Sequence, residues 1–150
     1  FGLAFAVSVT GFLVGSLTSS RLVLTLGQDE TMIVGTVVCT LSTGIALFVT
    51  SRFESAHLLL AGLSTGFFFG VGLVSANASM GAVSLFAEKA GAASAVYGSV
   101  HSLSSALIGA IAGLTYSGRM LEPIVLMCLC ATGSLLGSFI VSKTTPNAAR

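Results

Sequence analysis

Few residues of this chain can do chemistry, and most lie in stretches without charge. His101 is the one residue well inside such a stretch whose type titrates near neutral pH. At helical spacing it shares a face with Ser94, Tyr97, Gly98, Ser105, Gly109 and Ala112, opposite a bulky stripe of Val96, Val100, Leu103, Leu107, Ile111 and Leu114. Two roles are open to it: a proton carrier, or a neutral imidazole hydrogen-bonded to Ser94, Tyr97, Ser105 or a residue outside this chain. Upstream, Gly62, Gly66, Gly70, Asn77, Gly81 and Ser84 fall on a single helical face, and Ser64, Phe68, Gly72, Ser75 and Ser79 form a second one. A helix with two faces unsuited to lipid is buried or lines a cavity. Phe68, Ser75, Asn77 and Ser79 are therefore candidates for contact with a substrate, against the plainer role of central packing.

The same inventory excludes several classes. H-E-x-x-H, G-x-S-x-G and paired carboxylates inside the apolar stretches are all absent, so the sequence is not expected to be an enzyme. The glycine-rich Gly62 to Gly72 lacks the G-x-G-x-x-G spacing and strand context of a nucleotide site. Cys39, Cys128 and Cys130 lie in apolar runs without partners at zinc-like spacing and read as small buried hydrophobes, so neither metal nor cofactor is expected. A net charge of +1 with no basic run argues against nucleic acid.

What must position these residues is a set of membrane helices. Hydrophobic residues make up 54% and charged residues 7% of the chain, too few charges for a soluble surface. Between Glu54 and Glu88 no Asp, Glu, Lys or Arg occurs, a gap longer than the roughly 20 residues needed to cross a bilayer core. Ionised side chains are costly at mid-bilayer and collect at helix ends. On that rule the chain divides into five spans, about 1–20, 31–51, 56–87, 90–118 and 123–142, in one membrane domain covering 1–150. The fold class is all-α and polytopic, with the lipid bilayer as surroundings.

The joints hold the charges. Arg21, Lys89, Lys143 and Arg150 fall on one side and Arg52 and Arg119 on the other, a four-to-two excess that makes the first side cytoplasmic, with the C-terminus. The first span carries Ser8, Gly11, Gly15 and Thr18 as a seam for a neighbour, since helices in lipid associate where small residues let backbones approach. Arg21 to Gly27 reads as a tight turn after it. The second span has few polar groups, and the fifth has Gly133-x-x-x-Gly137 in a Leu-rich run, which suits both to the periphery. Phe1 opens directly in an apolar run with no basic segment ahead of it, which reads as an excerpt from a longer protein.

Three stretches resemble a known family. Gly15-Ser16-x-x-x-x-Arg21-Leu22 followed by Gly27 is similar to the cytoplasmic loop after the eighth helix of major facilitator superfamily transporters. Gly70-x-Gly72-x-x-x-x-Asn77-Ala78 resembles the tenth helix, and Phe86-x-x-x-Ala90-Gly91-x-Ala93-Ser94-Ala95-x-x-Gly98 the opening of the eleventh. The nearest type is the bacterial drug/proton antiporter of bicyclomycin and chloramphenicol resistance. Ala76 stands where that family usually has Pro, His101 where it often has Gln, and Gln28-Asp29-Glu30 where it has further arginines.

The resemblance implies helices eight to twelve of a 12-helix transporter of the bacterial inner membrane, with the N-terminal half of the same transporter as partner. The third span would line the cavity, the first and fourth would face the other half, and the second and fifth would lie outermost. Small amphipathic compounds would leave in exchange for protons, the halves rocking about a midplane site. Gly62, Gly66, Gly70 and Gly109 would serve helix packing, Gly15, Arg21 and Gly27 the loop motif, and His101 with Tyr97 a proton or hydrogen-bond site. The alternative is a small structural or assembly membrane protein held by its glycine seams. Orientation is directly testable: in a background lacking the native cysteines, Cys placed at Gln28 should label only from the cytoplasm and Cys at Glu54 only from outside. Labelling of the Gln28 position by an impermeant reagent in intact cells would reverse the topology.

Overall fold

In hydrocarbon a backbone must bond to itself, which makes a continuous helix the simplest state for each uncharged run. The computed structural model describes residues 2–52, 57–118 and 121–144. They form α1 (Gly2–Leu26), α2 (Gln28–Arg52), α3 (His57–Ser84), α4 (Ala90–Thr115) and α5 (Leu121–Thr144), with a 3-10 turn at Ala87–Lys89 and no strand. All five helices are long and apolar enough to cross a membrane. The chain is an all-α integral membrane protein. Of the charges used to place the joints, Glu54, Arg119 and Arg150 lie outside the described residues.

The helix ends differ from the charge-based boundaries for local reasons. Arg21 to Leu26 is helical rather than a turn, and Arg21 stands exposed on α1. Leu22, Val23, Leu24 and Leu26 continue the apolar run, and a long cationic side chain can reach the interface from within a helix end. The joint is Gly27 alone, at φ 90°, a left-handed conformation natural to glycine. Its N–H bonds to the Val23 carbonyl at 3.0 Å and closes α1, while its own carbonyl accepts from Thr31 Oγ1 at 2.7 Å and opens α2. Gln28-Asp29-Glu30 therefore form the first turn of α2, where acidic side chains complement the helix dipole. At the other face of the membrane Gly118, at φ 95°, follows α4, and the Glu122 carboxylate in the first turn of α5 accepts from the Ser117 N–H at 2.7 Å and from the Ser117 hydroxyl.

Packing is uneven. α3 runs against both α1 and α2, α2 also runs against α5, and α4 touches α3 and α5 only lightly. The α1–α3 contact is backbone on backbone: a Cβ built at Gly11 or Gly15 would strike the carbonyl oxygen of Thr65 or Phe69, and one at Gly72 would come within 2.5 Å of the Phe12 oxygen. The Ser8 and Ser64 hydroxyls meet across it at 2.8 Å. The α2–α3 contact is built alike, since a Cβ at Gly35 would lie 2.9 Å from the Gly70 oxygen and one at Gly70 would lie 2.7 Å from the Gly35 oxygen. Gly66 faces the Ser42 hydroxyl, and Gly81 faces the Gln28 side chain.

Three expectations are corrected here. α2 is not peripheral: Thr31, Gly35, Thr36, Cys39, Thr43 and Val49 are all buried on it. Its threonines can enter the interior because their hydroxyls bond back to their own helix, Thr36 Oγ1 to the Ile33 carbonyl at 2.9 Å and Thr43 Oγ1 to the Cys39 carbonyl at 2.9 Å. Gly62 and Gly109, read as packing positions, meet nothing within 4 Å, because both lie where α3 or α4 has no helix beside it. Cys130 is exposed rather than buried, while Cys39 is buried and Cys128 half-buried.

A substitution series separates the two kinds of glycine. Gly15→Ala should destabilise the protein by about 1–3 kcal/mol, the cost of overpacking against a rigid backbone. Gly62→Ala should be neutral or stabilising by up to about 1 kcal/mol through helix propensity. Thermal or denaturant unfolding in detergent checks both, and equal effects at the two positions would contradict the packing.

Candidate functional site

Two polar groupings lie within the spans, and they differ in kind. The first is a buried node joining α1, α2 and α3. Asn77 is 5% exposed; its Nδ2 donates to Ser19 Oγ at 2.8 Å and to the Leu73 carbonyl at 2.7 Å. Ser19 Oγ in turn donates to the Leu73 carbonyl at 3.3 Å, and Gln28 Nε2 donates to the Asn77 carbonyl at 2.6 Å. Each side chain here has a partner inside the chain. Among the described residues no buried side-chain polar atom lacks one.

The second grouping is a cleft of about 270 Å³ between α2, α3, α4 and α5. It brings together Ser75 of α3, Tyr97 and His101 of α4, and Ser134 of α5, with Thr36, Cys39, Phe67 and Cys130 also on its walls. All lie along the spans, away from the charged joints. The Tyr97 and His101 rings are stacked, their centroids 6.1 Å apart at 25°. That pairing follows from the (i, i+4) spacing along one face of α4. Two of the three hydroxyls expected to hold the imidazole bond elsewhere: Ser94 Oγ donates to the Ala90 carbonyl at 2.8 Å, and Ser105 Oγ donates to the His101 backbone carbonyl at 2.8 Å. Among the described residues the side chains of Ser75, Tyr97, His101 and Ser134 make no hydrogen bond. Unmatched polar groups at this depth cost several kcal/mol each if nothing solvates them. Water, a solute or a polar group of another chain segment has to meet them.

Of the four substrate-contact candidates, only Ser75 reaches this cleft. Asn77 is in the packing node. Ser79 donates to the Ala76 carbonyl at 3.0 Å, and the Phe68 ring stands edge-on to Phe67 with centroids 5.9 Å apart. Gly66, Gly70 and Gly15 are at helix contacts, Gly27 is the α1–α2 joint, and Arg21 is on α1. Ser134, Thr36 and Gln28 carry roles that sequence reasoning passed over. Ser134 sits beside Gly133 in the fifth span, but only the arrangement of α5 against α2 and α3 shows which way that face turns. No group of three His, Cys, Asp or Glu side chains gathers among the described residues to hold a metal.

Comparison with protein-family models, with curated proteins and with solved structures gives no match.

The two groupings should respond oppositely to substitution. Asn77→Leu should lower stability by about 0.6–2 kcal/mol, the range for an interhelical hydrogen bond in a membrane. Ser75→Ala should leave stability unchanged, because its hydroxyl holds nothing in the fold. Unfolding midpoints of the two variants measure this, and a destabilised Ser75→Ala would show that its hydroxyl has a structural partner.

Proposed function

We propose that this chain is part of a secondary active transporter, resembling the C-terminal half of a major facilitator superfamily drug/proton antiporter. It exports small amphipathic compounds against proton entry, in a bacterial inner membrane with the C-terminus cytoplasmic. The observation that carries the reading is the cleft of Ser75, Tyr97, His101 and Ser134, four polar side chains in the spans whose hydrogen-bonding capacity the fold leaves open. In a membrane protein, intramembrane ionisable groups that line a cavity are the usual parts of ion and substrate pathways.

Two further features support it. α4 has no buried residue among its 26, although its polar face carries Ser94, Tyr97, His101 and Ser105. A helix so little held by its neighbours fits a place where the other half of a transporter packs. The cleft's volume of about 270 Å³ also lies just below the roughly 300–1,000 Å³ of complete small-molecule sites. A site finished by the N-terminal half would supply the remaining walls.

In this reading Ser75, Tyr97 and Ser134 offer hydroxyls to the substrate or to water, and His101 takes up and releases the proton. The titratable groups that share its cleft are Cys39, Tyr97 and Cys130. The spans of the described residues contain no carboxylate except at their ends, in Asp29, Glu30 and Glu122, so His101 is the intramembrane relay candidate that lines the cleft.

The test uses the full-length protein. His101→Gln keeps a hydrogen-bonding side chain but cannot titrate. Proton-driven transport should fall by about tenfold or more, as for loss of an intramembrane relay group, while substrate binding persists. Retained proton-coupled transport in the Gln variant would remove His101 from the mechanism.

A further inference from the structure

The His101 cleft is not isolated. A second cleft of about 300 Å³, lined by Asp29 and Met32 of α2, Val74 and Ala78 of α3, and Ser134 and Ser138 of α5, shares Val74, Ala78 and Ser134 with it. The two form one groove between α2, α3 and α5. Its outer end is at Asp29, exposed in the first turn of α2 and two residues from the Gly27 joint, so it opens at the edge of the membrane. A third cleft, of about 360 Å³, occupies the opposite half of the bundle, with Ser42, Leu63, Tyr116 and Met127 on its walls. Phe67 is the one residue that lines both this cleft and the His101 cleft. Its position is fixed from two sides, by the edge-on Phe68 ring and by the Cys39 thiol donating to its carbonyl at 3.5 Å.

We propose that the groove is a water-filled half-pathway that leads from Asp29 past Ser138 and Ser134 to His101, and that Phe67 closes it from the opposite half of the bundle. Its occupant is water. Each water takes about 30 Å³ and needs two to four polar partners, so within walls that are otherwise mainly apolar the water runs as a file along the serine side of the groove. Ser138, Ser134 and Ser75 place oxygens along the route, with Asp29 at its mouth. Ser138 Oγ donates to the Ser134 carbonyl one turn away, at 2.9 Å, and its oxygen can still accept from water. The transporter reading gives this water a purpose, the delivery of protons to His101, and the pathway rests on that reading only for its purpose and not for its existence.

Thiol accessibility tests it in the full-length protein, with Cys128 and Cys130 replaced by Ala and Cys39 by Ser, which keeps a donor for the Phe67 carbonyl. Single cysteines at Ser138 and Ser134 should react with a hydrophilic, membrane-impermeant methanethiosulfonate applied from the Asp29 side. Their rates should exceed that of Leu136→Cys, on the opposite face of α5, by about tenfold or more, because the reactive thiolate forms only where water reaches. Ser42→Cys, beyond Phe67, should stay unreactive from that side until Phe67→Ala, or the milder Phe67→Leu, is added. If Ser134→Cys reacts as slowly as Leu136→Cys, lipid or another helix fills the groove and the pathway is overturned. If Ser42→Cys reacts with Phe67 intact, or stays silent in both Phe67 variants, the closure is overturned. The His101→Gln transport assay is read separately: fast labelling at Ser134 with undiminished transport in His101→Gln keeps the water and removes its purpose, whereas slow labelling with lost transport removes the water and keeps His101.

Discussion

Contact between helix backbones, α3 against α1 at Gly15 and Gly72 and against α2 at Gly35 and Gly70, is what the rest of this structure depends on. Lipid tails are as apolar as leucine, so burying leucine between helices gains little there, and association has to come from close van der Waals packing and interhelical hydrogen bonds. The interior reflects this. Its most buried side chains are Leu73, Thr31, Thr36 and Ser19, whereas Leu13, Leu17, Leu24 and Phe48 are exposed. Threonine and serine can sit inside because each hydroxyl bonds a carbonyl of its own or the facing helix, which leaves small apolar surfaces to mate.

This constraint divides the bundle into two regions. Where glycines let backbones touch, α1, α2 and α3 form a close triplet fastened at one end by Gln28, Ser19 and Asn77. Where they do not, helices stand apart. Gly98, Gly109 and Gly113 of α4 meet nothing within 4 Å, and neither do Gly133 and Gly137 of α5. The same residue type therefore marks contact at some positions and open space at others, Gly62 of α3 among the latter. The clefts lie along α4 and α5, the helices whose glycines meet no neighbour.

Much of this was legible in the sequence, because its physics is local. Five uncharged runs gave five helices, and Ser8, Gly11 and Gly15 of the expected seam face α3, where Ser19 rather than Thr18 continues it. The wheel also separated the two faces of α3, with Gly66, Gly70 and Gly81 toward α2 and Ser64 and Gly72 toward α1. Charge placement misjudged the α1–α2 joint, because Arg21 can be accommodated within a helix end and Gly27 alone makes the turn. Periodicity also could not say which glycine faces have a neighbour, so Gly62 and Gly109 looked like Gly70. Nor could it show that the fifth span brings Ser134 beside His101, a juxtaposition of helices far apart in sequence. The burial of α2 was missed because threonine reads as polar on a wheel, while in a helix its hydroxyl can be satisfied by the preceding turn.

Asn77 and His101 show why satisfaction, rather than polarity, locates the chemistry. Each is a polar side chain in a span, and on a wheel each looks equally functional. Asn77 gives both hydrogen bonds of its Nδ2 to atoms of the chain and is almost closed to its surroundings, so altering it perturbs the fold and leaves nothing for a solute to bind. His101 has its ring against Tyr97 and an exposed edge, beside two serines whose hydroxyls are uncommitted. Native structures leave few polar groups unmatched, and those they leave need a reason. In water such a cluster would need none, because solvent would complete it. Inside a bilayer the completion of His101, Tyr97, Ser75 and Ser134 has to come from outside their own cleft, from water, a solute or another segment of protein.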